Sequence, residues 1–182
     1  TEIQAIWSMP FSKAKEMPLN LFLRFFINHG LFRLKNRPQW SALGLDIDEK
    51  AIKIAQLNAK QLKISSRLTF KKVDVLKENF ELENISILVS NPPYIGASNF
   101  VEEMVVTTEP KLALFGGVEG HEIYYEFFKQ LKDYDKPIKI FWEIGFDQQN
   151  VLEEKSLEYK VENFRCEKDL FGRDRIISFD WR

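Results

Sequence analysis

From residue 41 onward, short apolar runs rich in β-formers alternate with helical stretches, and four of those runs end on a polar side chain. Residues 41–46 (SALGLD) close on Asp46, and residues 68–73 (LTFKKV) lead into Asp74. Residues 85–90 (ISILVS) lead into Asn91, and residues 138–143 (IKIFWE) close on Glu143. Strand–helix–strand alternation of this kind predicts an α/β fold, a mostly parallel sheet with helices on both faces. Ligands of such sheets sit outside the carboxyl ends of the strands. One acid after a strand is ordinarily a helix cap or a solvated loop residue. Four polar residues in register, Asp46, Asp74, Asn91 and Glu143, point to a site instead.

The intervening segments fit this scheme. Asp48 predicts an N-cap for a helix ending at Leu62, with Ala51, Ile54, Ala55, Leu57, Asn58 and Leu62 largely on one face. Residues 121–132 read as a helix whose Tyr124, Tyr125, Phe127 and Phe128 pack in a core, and residues 148–156 as a shorter helix. Residues 159–165 and 175–181 suit a closing antiparallel pair, giving seven strands with an antiparallel C-terminal strand. The first strand is expected at residues 21–27, followed by a turn at Asn28-His29-Gly30.

Composition narrows the function classes. A chain of 182 residues with 45% hydrophobic content suits one globular domain and excludes a disordered tail. The 26 basic and 27 acidic residues leave a net charge of -1, which argues against nucleic-acid binding through a broad basic field. The single cysteine, Cys166, excludes a disulfide framework and a cysteine zinc site, and two histidines, His29 and His121, do not make a histidine-rich metal centre. No apolar run reaches the ~20 residues that cross a bilayer; residues 19–27 come nearest and are broken by Asn20 and Arg24. The expectation is a cytoplasmic protein with no resident metal and no membrane partner.

Chemistry concentrates in Ser90-Asn91-Pro92-Pro93-Tyr94. Asn and Pro also form plain turns. Two prolines, however, fix φ and remove two backbone donors, so the Pro92 carbonyl can be aimed outward with little freedom. The Asn91 side chain adds a carbonyl acceptor and Tyr94 a flat face. Two acceptors and a ring make a socket for a planar group carrying an NH2, either a carboxamide or an exocyclic amine.

Asn-Pro-Pro-Tyr after such a strand resembles the amino-methyltransferases that use S-adenosylmethionine. The wider pattern is similar to the HemK/PrmC family of release-factor N5-glutamine methyltransferases. It comprises residues 88–95 (LVSNPPYI), 109–117 (EPKLALFGG) with Gly120, Glu143-Ile-Gly145 with Asp147-Gln148, and residues 169–175 (DLFGRDR). The resemblance covers residues 41–182 and implies a Rossmann-like class I fold. It implies methyl transfer from S-adenosylmethionine to a glutamine side-chain nitrogen in the Gly-Gly-Gln loop of peptide-chain release factors. It further implies that Asp46 accepts the cofactor's ribose hydroxyls and that Asp74 lies near the adenine amine with Val75 flanking the ring. Asn91 and the Pro92 carbonyl would receive the substrate amide, with Pro93 fixing the turn and Tyr94 packing on the amide face. Adenine or guanine methylation of nucleic acid, and a non-catalytic binding role, are the alternatives.

Two departures stand against the resemblance. The family's glycine-rich loop should precede the Asp46 strand, yet residues 19–32 hold only Gly30 and place Phe22, Phe25, Phe26 and Phe32 where bare backbone is needed. Residues 1–40 are therefore the divergent part of a 1–182 catalytic domain, and impaired cofactor binding is expected. Nothing in the sequence represents the family's N-terminal helical domain that grips the release factor.

Overall fold

The computed structural model describes residues 3–8, 36, 38–75, 77–78, 85–97 and 117–182. Strands β1 (Ile3–Ser8), β2 (Trp40–Asp46), β3 (Leu68–Lys72), β4 (Ile85–Ser90), β5 (Ile138–Glu143), β6 (Val161–Lys168) and β7 (Asp174–Trp181) form one sheet in the order β3-β2-β1-β4-β5-β7-β6. The first five strands are parallel to one another, so their carboxyl ends share an edge. Strand β7 runs antiparallel to both β5 and β6. The architecture is α/β and Rossmann-like, with helices α1 (Glu49–Gln61), α2 (Glu122–Leu131) and α3 (Gln149–Ser156) among the described residues.

Strand β1 is central, with residues 4–8 paired to both β2 and β4. The first strand expected at residues 21–27, its turn at residues 28–30 and the segment 19–32 all lie outside the described residues. The central position belongs to residues 3–8, a stretch with two isoleucines and a tryptophan that suits a strand.

Helix α1 starts where the sequence places it. Asp48 has extended backbone, and its Oδ1 accepts the Lys50 N–H at 2.8 Å. Its inward stripe is Ala51, Ile52, Ala55 and Ala59, whereas Leu57 is 61% exposed. Positions 51, 55 and 59 align at helical spacing while Leu57 is turned about 200° from Ala55, which corrects the expected apolar face. Small residues let α1 lie close to the sheet, beside a cluster of Ala42, Ala59 and Ile64. Below it the Phe70 ring covers Gly44, its partner on the neighbouring strand. A Cβ at Gly44 would stand 2.6 Å from that ring.

Helix α2 buries Ile123, Tyr124, Phe127, Phe128 and Leu131. Its rings meet Trp142 of β5 at centroid distances of 5.3 Å for Tyr124 and 5.1 Å for Phe128, and Trp142 meets Phe179 of β7 at 5.0 Å. Each buried ring contributes about 1.5–3 kcal/mol, so this aromatic block fixes β5 and β7 together. Because β7 returns antiparallel, with Glu143 opposite Ile176, the turn between β6 and β7 arrives at the edge where the parallel strands end. No helix among the described residues is long and apolar enough to cross a membrane.

Candidate active site

The strand order reverses direction beside β1, because the chain steps outward from β1 to β2 and β3 and then returns to β4 on its other side. A crevice opens outside the carboxyl ends at such a switch point. Asp46 ends β2 and Asn91 follows β4, so the two stand on opposite flanks of β1, two strand spacings or ~10 Å apart. Glu143 ends β5, and Asp74 lies two residues beyond β3. The four strand-ending residues therefore share the edge expected of them.

Beyond the buried Ser90, Asn91, Pro93 and Tyr94 are half-buried and Pro92 is buried. Pro92 and Pro93 have no N–H to continue the ladder, so the chain leaves the sheet at this point. Tyr94 is gripped at both ends. Gln148, itself 5% exposed, donates from Nε2 to the Tyr94 carbonyl at 2.8 Å while its Oε1 accepts the Gly145 N–H at 2.9 Å. The Tyr94 hydroxyl donates to Glu143 Oε1 at 3.4 Å and accepts from Arg175 Nη1 at 3.3 Å. Burial raises the Tyr94 phenol above its ordinary pKa, the Glu143 carboxylate adds to the rise, and the Arg175 guanidinium opposes it. The Tyr124 hydroxyl donates to the Glu143 carbonyl at 2.6 Å, fixing the end of β5 from helix α2. Gly120 packs under the same loop with φ +89°, and a Cβ there would lie 2.6 Å from the Gly96 nitrogen. Only glycine satisfies both the left-handed backbone and that approach.

On the other flank, Asp46 Oδ1 accepts the Asp48 N–H at 2.7 Å. Burial pushes its carboxyl up to about 7 despite that bond and the one from Ile47. Asp74 pairs with Lys77 at 3.1 Å, and its N–H donates to Glu78 Oε1 at 3.0 Å. Val75 is half-buried, and its carbonyl accepts from Gln130 Nε2 at 2.5 Å, which ties this turn to helix α2. Among the described residues no cluster of His, Cys, Asp and Glu could hold a metal ion.

Asn91, Pro92, Pro93 and Tyr94 thus come together with Glu143 on one side of the switch point, and Asp46, Asp74 and Val75 gather on the other. Sequence reasoning placed Gln148 and Gln130 on helices and gave neither side chain a partner. Nothing in a glutamine's own neighbourhood signals a partner 54 positions away. The block at residues 109–116 lies outside the described residues.

Known proteins share this fold. A family model described as an RMKL-like methyltransferase domain (UPF0020) matches residues 15–105. The release factor glutamine methyltransferase of Streptococcus pneumoniae is 37% identical over 80% of this chain and 52% of its own length. That of Enterococcus faecalis is 35% identical over 77% of this chain and 51% of its own. The chain spans about half the length of these curated relatives. In fold it is similar to the human METTL16 catalytic domain, solved with an RNA hairpin, at TM-score 0.66 and 15% identity over 98% of this chain and 63% of that one. The N-terminal domain of the same human protein, solved with S-adenosylhomocysteine, matches at TM-score 0.54 and 15% identity over 98% and 61%. With a methyltransferase fold, a methyltransferase-domain match over half its length and release factor glutamine methyltransferases among its relatives, the chain belongs to the HemK/PrmC family of methyltransferases.

Proposed function

We propose that residues 1–182 act as one catalytic domain that transfers a methyl group from S-adenosylmethionine to a glutamine side-chain nitrogen. The glutamine is that of the Gly-Gly-Gln loop of peptide-chain release factors, and the reaction takes place in the cytoplasm. The observation that carries this reading is the Asn91–Tyr94 turn at the end of β4, beside the switch point, with its tyrosine held at both ends. The names of the curated relatives support the substrate.

The residues present suit the cofactor. Asp46 offers a half-buried carboxylate across β1 from the turn, as two vicinal hydroxyls require, and Val75 offers an apolar flank beside Asp74 for a purine. When bound, S-adenosylmethionine supplies a methyl group on a sulfonium, already reactive toward a nucleophile. The chain's own work is then positioning. Asn91 Oδ1 and the Pro92 carbonyl accept the two N–H bonds of the substrate carboxamide, and the Tyr94 ring packs on its face. An amide nitrogen is a weak nucleophile because its lone pair is delocalised. Holding both N–H bonds at a fixed angle biases the nitrogen toward pyramidal geometry and aims it, and orientation of this kind supplies much of a rate enhancement. The extra proton leaves for water after transfer, so no general base is required. Residues 19–32, poor in glycine, weaken cofactor binding relative to the family in this reading.

Labelled methyl transfer tests it. A release factor should take up label, and the same factor with its loop glutamine replaced by alanine should not. Asn91→Ala should slow single-turnover transfer about 10- to 100-fold, from loss of one orienting bond of ~1–3 kcal/mol, with an unchanged circular dichroism spectrum. Label entering RNA or DNA adenine or guanine in place of the release factor, or an Asn91→Ala variant as fast as the parent, would overturn the reading.

A further inference from the structure

We propose that Arg175 is a positioning residue for methyl transfer, holding the Tyr94 ring in place through its hydroxyl from strand β7. The inference rests on the function proposed above.

Tyr94 has its main chain fixed by Gln148, which leaves the ring free to turn about its two side-chain torsions. The hydroxyl removes that freedom. A phenol has one proton to give and lone pairs to receive. Here the proton points to Glu143 Oε1 at 3.4 Å, and a lone pair receives Arg175 Nη1 at 3.3 Å. The guanidinium that fixes the ring is fixed in turn. Its Nη1 lies 3.7 Å from Glu143 Oε1, and its Nη2 lies 3.5 Å from Asp169 Oδ2. Asp169 is pinned by the turn it opens, since Oδ1 accepts the N–H groups of Phe171 at 2.8 Å and Arg173 at 3.0 Å. Three oxygens converge on one planar fork, an arrangement that suits arginine and that the point charge of lysine cannot reproduce. Side-chain exposures of 32% for Arg175 and 14% for Glu143 put the pair at the water's edge, where ion pairs contribute little to stability. What the network supplies is a defined ring pose, carried from the β6–β7 turn to a residue 81 positions earlier.

Four proteins decide the matter: the parent, Tyr94→Phe, Arg175→Met and the double variant, with kcat and KM for the release factor measured at saturating cofactor. Each single variant should lose about 10-fold in kcat. The double variant should be no slower than the slower single, because both changes cut the same link. Arg175→Lys should recover only part of the loss. A second readout needs no cofactor or substrate. In tyrosine ring carbon NMR, the resonance missing from Tyr94→Phe belongs to Tyr94, and its titration midpoint should move upward in Arg175→Met as the nearby cation is lost. Multiplying losses in the double variant, full rescue by lysine, or an unmoved Tyr94 midpoint would overturn the proposal. A parent that methylates no release factor would sink the proposed function, and the Tyr94 midpoint would then decide alone whether Arg175 holds the ring.

Discussion

Gln148 offers the sharpest test of how the loop around Tyr94 is held. The Gln148→Leu substitution keeps the approximate volume and strands two groups, the buried Gly145 N–H and the Tyr94 carbonyl, which lose partners at 2.9 and 2.8 Å. Each stranded group costs ~1–3 kcal/mol. The added apolar burial of leucine returns about 1–2 kcal/mol, so the net loss at mid-range is about 2.5 kcal/mol. With a urea slope of roughly 2 kcal/mol per molar for a chain of this size, the unfolding midpoint should fall by about 0.5–2 M. Tryptophan fluorescence follows the transition, since Trp142 and Trp181 are buried. Gln148→Glu adds a sign. Its carboxyl still accepts from Gly145 but can donate to the Tyr94 carbonyl only while protonated. Burial raises that carboxyl's pKa, so the variant should lie near the parent at about pH 5 and fall further behind toward about pH 8. A Gln148→Leu midpoint within about 0.2 M of the parent, or a Gln148→Glu deficit independent of pH, would refute the clamp.

Two further outcomes follow from the site and the core. In its proposed role at the cofactor's ribose, Asp46, its carboxyl pushed up to about 7 by burial, must be ionised to accept two hydroxyls. Cofactor affinity should therefore hold above about pH 7 and fall toward tenfold per unit below it; calorimetry across that range reads it, Asp46→Asn should flatten it, and a flat profile in the parent would refute the assignment. Phe128 stacks on Tyr159 at 5.0 Å and meets Trp142 at 5.1 Å. Phe128→Ala should accordingly cost about 3–5 kcal/mol in urea unfolding, and a loss under about 1 kcal/mol would show that the aromatic block does not organise β5 and β7.

Local pattern carried most of the fold. Strands β4 and β5 fall on residues 85–90 and 138–143 as read, because each is an apolar run bounded by a turn former or an acid. The Asp48 cap and the closing antiparallel pair were equally local signals. Strand β1 was not legible: residues 3–8 are too short a run to stand out against the apolar stretch at 19–27, and their central place depends on pairing with residues 40–45 and 85–90. In the candidate site, the strand-end positions of Asp46, Asp74 and Asn91 were legible from the apolar runs before them. The grip on Tyr94 was not, because it joins residues 94, 143, 148 and 175 through side chains whose meeting is decided by strand order. Leu57 shows the same limit from the other side, since a hydrophobic letter on a helix does not say which azimuth faces the sheet.

The order β5-β7-β6 has a consequence for how the protein is made. Strand β6 leaves the ribosome before β7 but has no place beside β5 until β7 slots between them. At ~5–20 residues per second, the tunnel-emerged chain spends roughly 2–8 seconds with β5 bare along one side, an open template for another nascent chain. Arg175 sits at the start of that last-arriving strand, so the tyrosine it grips stays loose until β7 has docked. Synthesis and competence are thereby joined: a chain stalled before β7 would carry the Asn91 turn and the Asp46 carboxylate yet lack the piece that sets the Tyr94 ring.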